Sequence, residues 1–586
     1  MDARNLASGA WVPQGSDMNR LYYGDNLEVM RKAIDDASVD LVYLDPPFNS
    51  NAGYNVLFKS ASGAGADASI EAFDDTWTWG EASKSALLDI DSGINRSLQV
   101  MMRAMHDALG DSPLMAYLAM MAVRLVELHR VLKSTGSLYL HCDPTASHYL
   151  KLVLDAVFGA ENFRNEIVWR RTNAHNKLSK QFGPIHDTIL FYSRSDDVVF
   201  HPGRRPYSQA YISGSFSSED DEGRYQSNVL TGAGIRSGDS GQPWRNYDPT
   251  PKGRHWAIPK KLVAAITNGG TFESLNDILD ALDRKGFILH PKSAGALPRY
   301  KQYLETSEGV QYQDIWAYQP GTRGTLAGST EGIDEDVKWL DSEHEKLGYP
   351  TQKPVGLLSR LIETSSNPGD VVLDPFCGCG TAVDAAEKLG RQWIGIDITH
   401  IAIGMIENRM REGYSGIRFE TIGVPRDLAS AERLAADDPH QFQQWVSWQV
   451  GGYPRDKKGG DKGIDGWFNY LAESGKVETG VISVKAGDIV NPNMVRDLGR
   501  VMERDKFRFG LFVMKSMPTK GMREEAASHP TIETEFGRFP ALQIVTLAEL
   551  MMGLKPKLPP LISPVRKAAR VETRVSHQKG AQGALL

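Results

Sequence analysis

The chain of 586 residues contains only three cysteines, too few for a disulfide framework, which indicates a reducing compartment. It has no apolar run of the roughly 20 residues that a bilayer requires, since the longest run, Leu114 to Val123, ends at Arg124. The first residues include no apolar core of a signal peptide, so we expect a cytoplasmic protein with no membrane partner. A large excess of either charge is also absent. At a formal net charge of −7, a nucleic acid would have to be bound by local basic surface.

The composition, 41% hydrophobic and 24% charged, excludes a disordered, collagen-like or coiled-coil chain. Strand-like apolar runs alternate with helical patterns up to residue 158 and again over residues 355–396, which predicts a parallel sheet with helices on both faces. Between these stretches lies a segment rich in glycine, serine and aromatic residues, which we interpret as an insertion. A second α/β pattern follows the first domain.

We therefore divide the chain into four parts. These are an α/β domain at 1–199 and 346–420, an inserted region at 200–345, a second α/β domain at 421–555, and a disordered basic tail at 556–586.

The segment DPFCGCGT, residues 374–381, follows an apolar strand and opens a helix. Gly378 and Gly380 allow the backbone to turn tightly and approach a ligand, and the helix N-terminus favours a carboxylate or phosphate. Sixteen residues after Thr381, the next strand ends in Asp397, the position from which nucleotide-binding folds bind ribose hydroxyls. A tight structural turn would explain the glycines alone, but not the spacing to Asp397.

A second strand, residues 41–44, ends abruptly in Asp45, Pro46, Pro47 and Phe48. The two prolines fix the backbone and remove two N–H donors, which leaves carbonyl groups facing a cleft. A carboxylate, a bare carbonyl and an aromatic ring together suit a planar base with an exocyclic amine. Standing alone, this tetrapeptide would more often be a rigid turn.

Together, the two segments resemble motifs IV and I of the DNA amino-methyltransferases, which transfer a methyl group from S-adenosylmethionine to adenine N6 or cytosine N4. The order of the motifs resembles that of the β-class enzymes, including the modification subunits of type III restriction systems. Further segments extend the resemblance over most of residues 1–420, among them GDN at 24–26, FDDTW at 73–77, HDTILFYS at 186–193 and GYPTQKPVGLL at 348–358.

The resemblance implies a Rossmann-like S-adenosylmethionine-dependent methyltransferase with a target-recognition domain at 200–345. It assigns Asp45 to the target amine, the carbonyl groups near Pro46 to the second amine proton, and Phe48 to stacking on the base. Adenine N6 is the favoured target, because cytosine N4 enzymes more often carry serine at the position of Asp45; cytosine N4 is the alternative. The residues assigned to cofactor binding are Asp374, Phe376, Gly378, Gly380, Asp397 and Lys353, with Thr351 and Gln352 nearby.

Double-stranded DNA is the expected partner, with the target base flipped out of the helix. Residues 170–205 contain seven Lys or Arg and three acidic residues, which is consistent with phosphate contacts. The sequence does not distinguish a single chain from a homodimer. A role in restriction-modification or phage defence would follow from this activity.

The C-terminal part contains DKGIDGWFNY at 461–470 and VISVKAG at 481–487. An Asp on one strand and a Lys on the next form the skeleton of a metal-dependent phosphodiesterase site. This segment resembles the Mrr-like branch of the PD-(D/E)xK restriction endonucleases, which implies that Asp465 binds Mg²⁺ and Lys485 orients water. Ser483 stands where that family has Glu or Gln, so the alternative is an inactive fold kept for DNA binding. A restriction nuclease whose methyltransferase half mainly recognises DNA is the competing function.

Overall fold

The computed structural model describes residues 18–47, 53–58, 68–74, 78–173, 180, 182–267, 272–340, 345–347, 349, 351–455 and 463–562. The described residues divide into two compact units, a large one formed by residues up to 201, 313–318 and those from 336 onwards, and a smaller one formed by 202–312 and 319–335. No helix among the described residues is long and apolar enough to cross a membrane.

Up to residue 201, the described part of the chain forms seven strands and five α-helices. The strands are β1 (Asn19–Tyr23), β2 (Val39–Leu44), β3 (Gly53–Phe58), β4 (Ala68–Asp74), β5 (Leu132–Cys142), β6 (Phe163–Arg170) and β7 (His186–Ser193). The helices are α1 (Asn26–Ala33), α2 (Glu81–Ser92), α3 (Arg96–Leu109), α4 (Pro113–Val131) and α5 (Ser147–Phe158).

Short elements dominate residues 202–335. The strands of this stretch are β8 (Arg204–Arg205), β9 (Ser218–Asp220), β10 (Gly223–Val229), β11 (Thr231–Ala233), β12 (Arg254–Trp256), β13 (Ile288–Leu289), β14 (Arg299–Tyr303), β15 (Val310–Gln311) and β16 (Ile315–Trp316). The helices are α6 (Gln209–Ser215), α7 (Lys260–Thr267) and α8 (Leu275–Arg284).

Longer elements return from residue 336 onwards. The strands are β17 (Val371–Asp374), β18 (Gln392–Asp397), β19 (Phe419–Ile422), β20 (Tyr453–Pro454), β21 (Gly466–Leu471), β22 (Val477–Lys485), β23 (Gly510–Met514), β24 (Thr531–Thr534), β25 (Gly537–Pro540), β26 (Leu542–Thr546) and β27 (Leu561–Ile562). The helices are α9 (Val355–Ser365), α10 (Thr381–Lys388), α11 (His400–Gly413), α12 (Leu428–Asp437), α13 (Pro439–Gln449), α14 (Pro492–Asp505), α15 (Lys520–Ala527) and α16 (Leu547–Met551).

A nine-stranded sheet forms the centre of the large unit, in the order β16-β6-β7-β5-β2-β17-β18-β1-β19. All neighbouring strands are parallel except β7, which runs antiparallel to both β5 and β6. β17 pairs with both β2 and β18, so strands from before and after the insertion lie side by side. One core packs α1, α3, α4 and α5 on one face of the sheet, and another packs α9, α10 and α11 on the other.

Local signals explain where the helices begin. α4 starts after Ser112, whose side chain accepts a hydrogen bond from the N–H of Met115, and proline occupies its first position. α1 starts after Asp25, whose carboxylate accepts from the N–H groups of Leu27 and Glu28. These caps satisfy donors that an unpaired helix end would leave exposed.

The C-terminal part of the large unit has its own sheet, in the order β20-β21-β22-β23-β26, with β27 beside β21. β22, β23 and β26 are parallel, whereas β20 and β21 form an antiparallel hairpin against β22. Two apolar cores lie on its two faces. The predicted fold class is therefore confirmed: an α/β sheet with helices on both faces, an insertion, and a second α/β domain.

The inserted region is shorter in the structure than the predicted range, 200–345. Residues 313–318 lie in the large unit instead of the insertion, because β16 pairs with β6. Residues from 336 onwards also return to the large unit, where the backbone oxygen of Val337 accepts a hydrogen bond from Trp169 Nε1 at 2.7 Å.

The predicted disordered tail, 556–586, also needs a correction at its start. β27 lies within it and pairs with β21, and the N–H of Leu471 donates to the backbone oxygen of Pro560 at 2.9 Å. Apolar residues at 561 and 562 thus extend the C-terminal sheet, while residues 563–586 lie outside the described part of the chain.

His400 makes the stability of the large unit depend on pH. Its ring stacks on Tyr23 with the centroids 3.9 Å apart, and its side chain is buried. Burial lowers the pKa of His400 to about 3, whereas an unfolded chain takes up the proton near pH 6.5. The unfolded state therefore binds more protons between these values, so the contribution of His400 is complete above pH 6.5 and is lost as the pH falls towards 3.

We expect this one group to lower the free energy of unfolding by about 1.4 kcal/mol when the pH falls from about 7.5 to about 5.5. Urea unfolding at the two pH values measures the difference. His400→Phe and His400→Gln cannot titrate, so both should show a smaller loss than the wild type. An equal loss in all three proteins would contradict the assignment.

Candidate active site

A cavity of about 250 Å³ lies in the large unit, where the chain leaves the carboxyl ends of β1, β2, β17 and β18. Its walls come from the segments that follow these strands and from one that precedes α9. These segments are residues 24–26, 45–47, 374–379, 397–399 and 351–353. Both predicted motifs therefore open into one cavity, at the strand edge where open α/β sheets bind ligands.

Asp45 is the first residue after β2, and its carboxylate forms a largely buried ion pair with Nζ of Lys353. The segment around Lys353, predicted to lie near the cofactor, therefore reaches the motif predicted to bind the target base. Pro46 and Pro47 line the same cavity. The predicted stacking residue, Phe48, lies outside the described residues.

Three buried side chains behind Asp45 form a hydrogen-bonded row that sequence reasoning missed. Tyr43 lies on the same face of β2 as Asp45, and its hydroxyl is 3.0 Å from Nδ1 of His141. Nε2 of His141 is 3.1 Å from Asp187, which also forms an ion pair with Arg171 at 3.1 Å. Burial alone would raise the pKa of Asp187, but the hydrogen bond with His141 and nearby cations hold it below its ordinary value. The only sequence signal was a histidine in a strand-like apolar run.

The DPFCGCGT segment forms a tight loop between β17 and α10. The N–H of Phe376 donates to Oδ1 of Asp374 at 3.1 Å, which fixes this carboxyl group at the start of the loop. Gly378 and Gly380 have φ values of 48° and 76°, a region that favours glycine. A Cβ atom at Gly380 would lie 2.7 Å from Cγ1 of Ile406, so a larger residue would push the loop away from α11.

The carboxyl groups of the cavity give it a preference for positive charge. Burial raises the pKa of Asp374 well above its ordinary value, and the charges of Asp45 and Asp397 add to this effect. Burial also raises the pKa of Asp397, although this group accepts hydrogen bonds from the N–H and hydroxyl of Thr399, both at 2.8 Å, and from the N–H of Gly378 at 3.0 Å. Three neighbouring carboxyl groups repel one another, so a cationic ligand is favoured.

Arg124 also lines the cavity, and sequence reasoning gave it no role. It donates to Oδ2 of Asp25 at 2.8 Å and to Oδ1 of Asn26 at 2.6 Å. Asn26 in turn donates to the backbone oxygen of Pro375 at 2.7 Å, which ties the segment after β1 to the loop after β17. The available signal was a charged residue that ends the apolar run of residues 114–123 in α4.

The second candidate site lies in the C-terminal sheet, where Asp465 precedes β21 and Lys485 ends β22. Nζ of Lys485 is 3.8 Å from Oδ2 of Asp465. The same oxygen accepts from the N–H of Val484 at 2.7 Å and from the hydroxyl of Ser483 at 3.2 Å. The two predicted residues therefore meet, and Ser483 binds to Asp465 instead of supplying a second carboxylate.

This C-terminal site offers few metal ligands. Within the described ranges, which omit 456–462, no group of three His, Cys, Asp or Glu side chains could hold a metal ion. A single carboxylate is the lower limit of what proteins supply to Mg²⁺, with water completing the coordination.

Two family models match the chain. Residues 39–408 match a family described as DNA methylase, of the N6/N4 type, and residues 435–538 match a family described as restriction endonuclease. The first match covers more than half of the chain and includes both motifs that line the cavity. The second includes Asp465 and Lys485.

Known relatives agree with the first match. The type II methyltransferase M.EcaI of Enterobacter cloacae is 28% identical over 421 residues, which cover 70% of this chain and 74% of the relative. The Mod subunit of the type III restriction-modification enzyme StyLTI of Salmonella typhimurium is 26% identical over 383 residues, 64% of this chain and 50% of the subunit. The DNA adenine methyltransferase YhdJ of Escherichia coli strain K12 is 39% identical over 107 residues, 18% of this chain and 36% of that protein.

Substitution of Asp397 tests whether the loop after β17 and the end of β18 bind the cofactor. Asp397→Ala removes a buried hydrogen-bonding carboxyl group, so we expect S-adenosylmethionine to bind about 1.5 to 3 kcal/mol more weakly. Isothermal titration calorimetry on the full chain measures this change. Asp107→Ala, at an exposed position on α3, is the control and should bind as the wild type does. Unchanged affinity in Asp397→Ala would argue against a ribose contact.

Proposed function

The chain belongs to the N6/N4 family of DNA methylases, and we propose that it transfers a methyl group from S-adenosylmethionine to the exocyclic amine of a base in double-stranded DNA. One observation carries the proposal: the motif that begins at Asp45 and the loop that begins at Asp374 line the same cavity. Methyl transfer requires this adjacency, because the amine nitrogen must approach the methyl carbon in line.

The residues present suit the cofactor. When bound, S-adenosylmethionine supplies a methyl group on a positively charged sulfonium, and the carboxyl groups of the cavity favour such a charge. We assign the ribose hydroxyls to Asp397, and the methionine part to Asp374 with the loop residues Phe376, Gly378 and Gly380. Lys353 remains a proposed cofactor contact, and its ion pair with Asp45 gives it a second role between the two halves of the cavity.

The target amine is a weak nucleophile, because its lone pair is delocalised into the ring. The carboxylate of Asp45 accepts a hydrogen bond from one N–H of the amine and the carbonyl of Pro46 accepts one from the other N–H, which makes the nitrogen more tetrahedral before it attacks. After transfer the nitrogen carries an extra proton, which Asp45 is placed to accept. Lys353 compensates the charge of Asp45 until the base enters. Phe48 remains the proposed stacking residue.

Adenine N6 is the proposed target. Position 45 carries Asp, where cytosine N4 enzymes more often carry Ser, and one of the relatives above is a DNA adenine methyltransferase. Cytosine N4 is the alternative.

A base cannot be methylated inside the duplex, so it must be flipped into the cavity. We propose that the smaller unit, residues 202–312 and 319–335, recognises the target sequence. It has a core of its own around Trp244, Trp256 and Leu279, which gives it the rigidity that base recognition needs. A homodimer of the chain remains a proposal. The setting proposed for the activity is restriction-modification or phage defence.

The variant Asp45→Ala tests the proposal. We expect methylation to be abolished, a rate loss of at least roughly 100-fold, because the group that polarises the amine is lost. Affinity for S-adenosylmethionine should persist, since Asp45 lies outside the loop that binds the cofactor. Sequencing of DNA from expressing cells, with detection of modified bases, identifies the base, and a time course of methyl transfer by the purified protein measures the rate. Full methylation by Asp45→Ala would refute the role of this residue.

Cleavage of DNA by the C-terminal domain is a second candidate function, favoured by the juxtaposition of Asp465 and Lys485. We propose that Asp465 binds Mg²⁺ weakly, with water supplementing the single carboxylate, and that Lys485 orients water beside the scissile phosphate. An inert fold that only binds DNA is the alternative.

If the domain cleaves DNA, Asp465→Ala and Lys485→Ala should each abolish cleavage in Mg²⁺ or Mn²⁺ and leave methylation intact. The control, Lys476→Ala, changes an exposed lysine of the same domain and should retain both activities. Methylated, unmethylated and phage DNA are the substrates. Cleavage that survives both substitutions would exclude this site, and no cleavage by the wild type would favour the inert fold.

A further inference from the structure

The loop that begins at Asp374 shares an apolar cluster with side chains of the C-terminal domain. This cluster, here called the junction cluster, joins the two parts of the large unit. Its buried members include Tyr349, Cys379, Ile401, Met405 and Tyr453, and the partly buried Trp448 packs against them. Residues of the methyltransferase and residues of the domain matched to restriction endonucleases therefore share one core.

On the methyltransferase side, the junction cluster includes part of the cavity wall. Tyr349 and Cys379 line the cavity. The loop touches the ring of Tyr349 directly, since a Cβ atom at Gly378 would lie 3.2 Å from Cε1 of that ring. Ile401 and Met405 lie on α11, which begins three residues after Asp397. Both pack in the same cluster as Cys379 of the loop between β17 and α10.

On the C-terminal side, Trp448 lies at the end of α13 and packs on α11. Its indole lies so close to Gly404 that a Cβ atom there would be 3.4 Å from the ring. Tyr453 lies opposite Trp467 in the β20–β21 hairpin, with the ring centroids 5.9 Å apart. Asp465 immediately precedes β21, and its backbone oxygen accepts from the N–H of Arg455 at 2.9 Å. One hairpin therefore carries both a member of the junction cluster and the candidate nuclease residue.

We propose that Trp448 and Tyr453 are positioning residues for the methyltransferase, so that the C-terminal domain completes the cofactor site. Neither residue lines the cavity; both act through Tyr349, Cys379 and α11. Closely packed apolar groups transmit displacement instead of absorbing it, so loss of the indole releases the loop. The inference rests on the proposed function, because it requires the cavity to bind S-adenosylmethionine.

Coupling between two parts of a protein is reciprocal. If the C-terminal domain holds the loop in its binding conformation, then bound cofactor must in turn stabilise the β20–β21 hairpin. The hairpin that carries Asp465 thus responds to occupancy of a cavity in another domain. This response can be measured in the wild-type protein without any substitution.

The first measurement is the affinity of full-length Trp448→Ala for S-adenosylmethionine by calorimetry. We expect the dissociation constant to rise roughly 10-fold, within the usual range for coupled sites. The KM for the cofactor should rise in parallel, while kcat at saturating cofactor stays near the wild-type value, because Trp448 does not touch the reacting atoms. Trp448→Phe keeps an aromatic ring on α11 and should restore most of the affinity.

The second measurement is hydrogen–deuterium exchange with and without S-adenosylmethionine. In the wild type, the cofactor should slow exchange of the amide of Tyr453 and of the amides of residues 466–471. The same protection should be absent in Trp448→Ala at a cofactor concentration that saturates it. Wild-type protein whose hairpin is not protected by saturating cofactor would overturn the inference.

Phe509→Ala is the matched control. Phe509 is a buried aromatic residue just before β23 that packs in the C-terminal domain's own core, outside both the β20–β21 hairpin and the junction cluster. It should lower stability and leave the affinity for S-adenosylmethionine unchanged. An equal loss of affinity in Phe509→Ala and Trp448→Ala would overturn the inference, since the effect would then reflect a loosened domain.

The outcomes also separate this inference from the proposed function. A wild type that does not bind S-adenosylmethionine at all would refute the proposed function. Binding that is weakened by Asp397→Ala but unchanged in Trp448→Ala would leave the proposed function intact and reject only the positioning role.

Discussion

The reaction site depends on the pairing of β17 with β2. Leu41 lies opposite Val372 and Val42 opposite Leu373, so Asp45 and Asp374 end neighbouring parallel strands. Asp40 fixes this arrangement, since its carboxylate accepts the N–H of Val371 at 2.9 Å across 331 residues of sequence. The pairing brings the base motif and the cofactor loop to one edge of the sheet. It also explains why an insertion is tolerated, because parallel strands need a crossover connection and this connection can be long.

The ligand preference of the cavity follows from its buried carboxyl groups. Buried carboxyl groups are costly unless cations or hydrogen bonds compensate them. In the cavity the compensation is partial: Lys353 pairs with Asp45 and Arg124 pairs with Asp25, while burial raises the pKa of both Asp374 and Asp397. A cationic ligand would complete the compensation, so the electrostatic preference of the site is built into the folded protein before a ligand arrives.

The C-terminal domain is separate from the methyltransferase domain in sequence, but the two domains are packed against each other through shared side chains. It has its own sheet and cores, and it matches a family separate from the DNA methylases. Even so, Tyr453 and the partly buried Trp448 pack in one apolar cluster with the wall of the cavity. Side chains packed in a common core respond together, because close packing leaves little room for one of them to move alone.

Local patterns of the sequence predict the two α/β parts and the residues that follow the strand ends. The alternation of strand and helix patterns indicated a sheet interrupted by an insertion, and the ends of apolar strands indicated Asp45, Asp374 and Asp397. These features are local, since periodicity, capping and turn chemistry act over a few residues. Four other features follow from long-range packing: the Lys353–Asp45 ion pair, the row from Tyr43 to Asp187, the position of Arg124 in the cavity, and the junction cluster. Each of them depends on which distant strands and helices pack together, a choice that no short stretch of sequence contains.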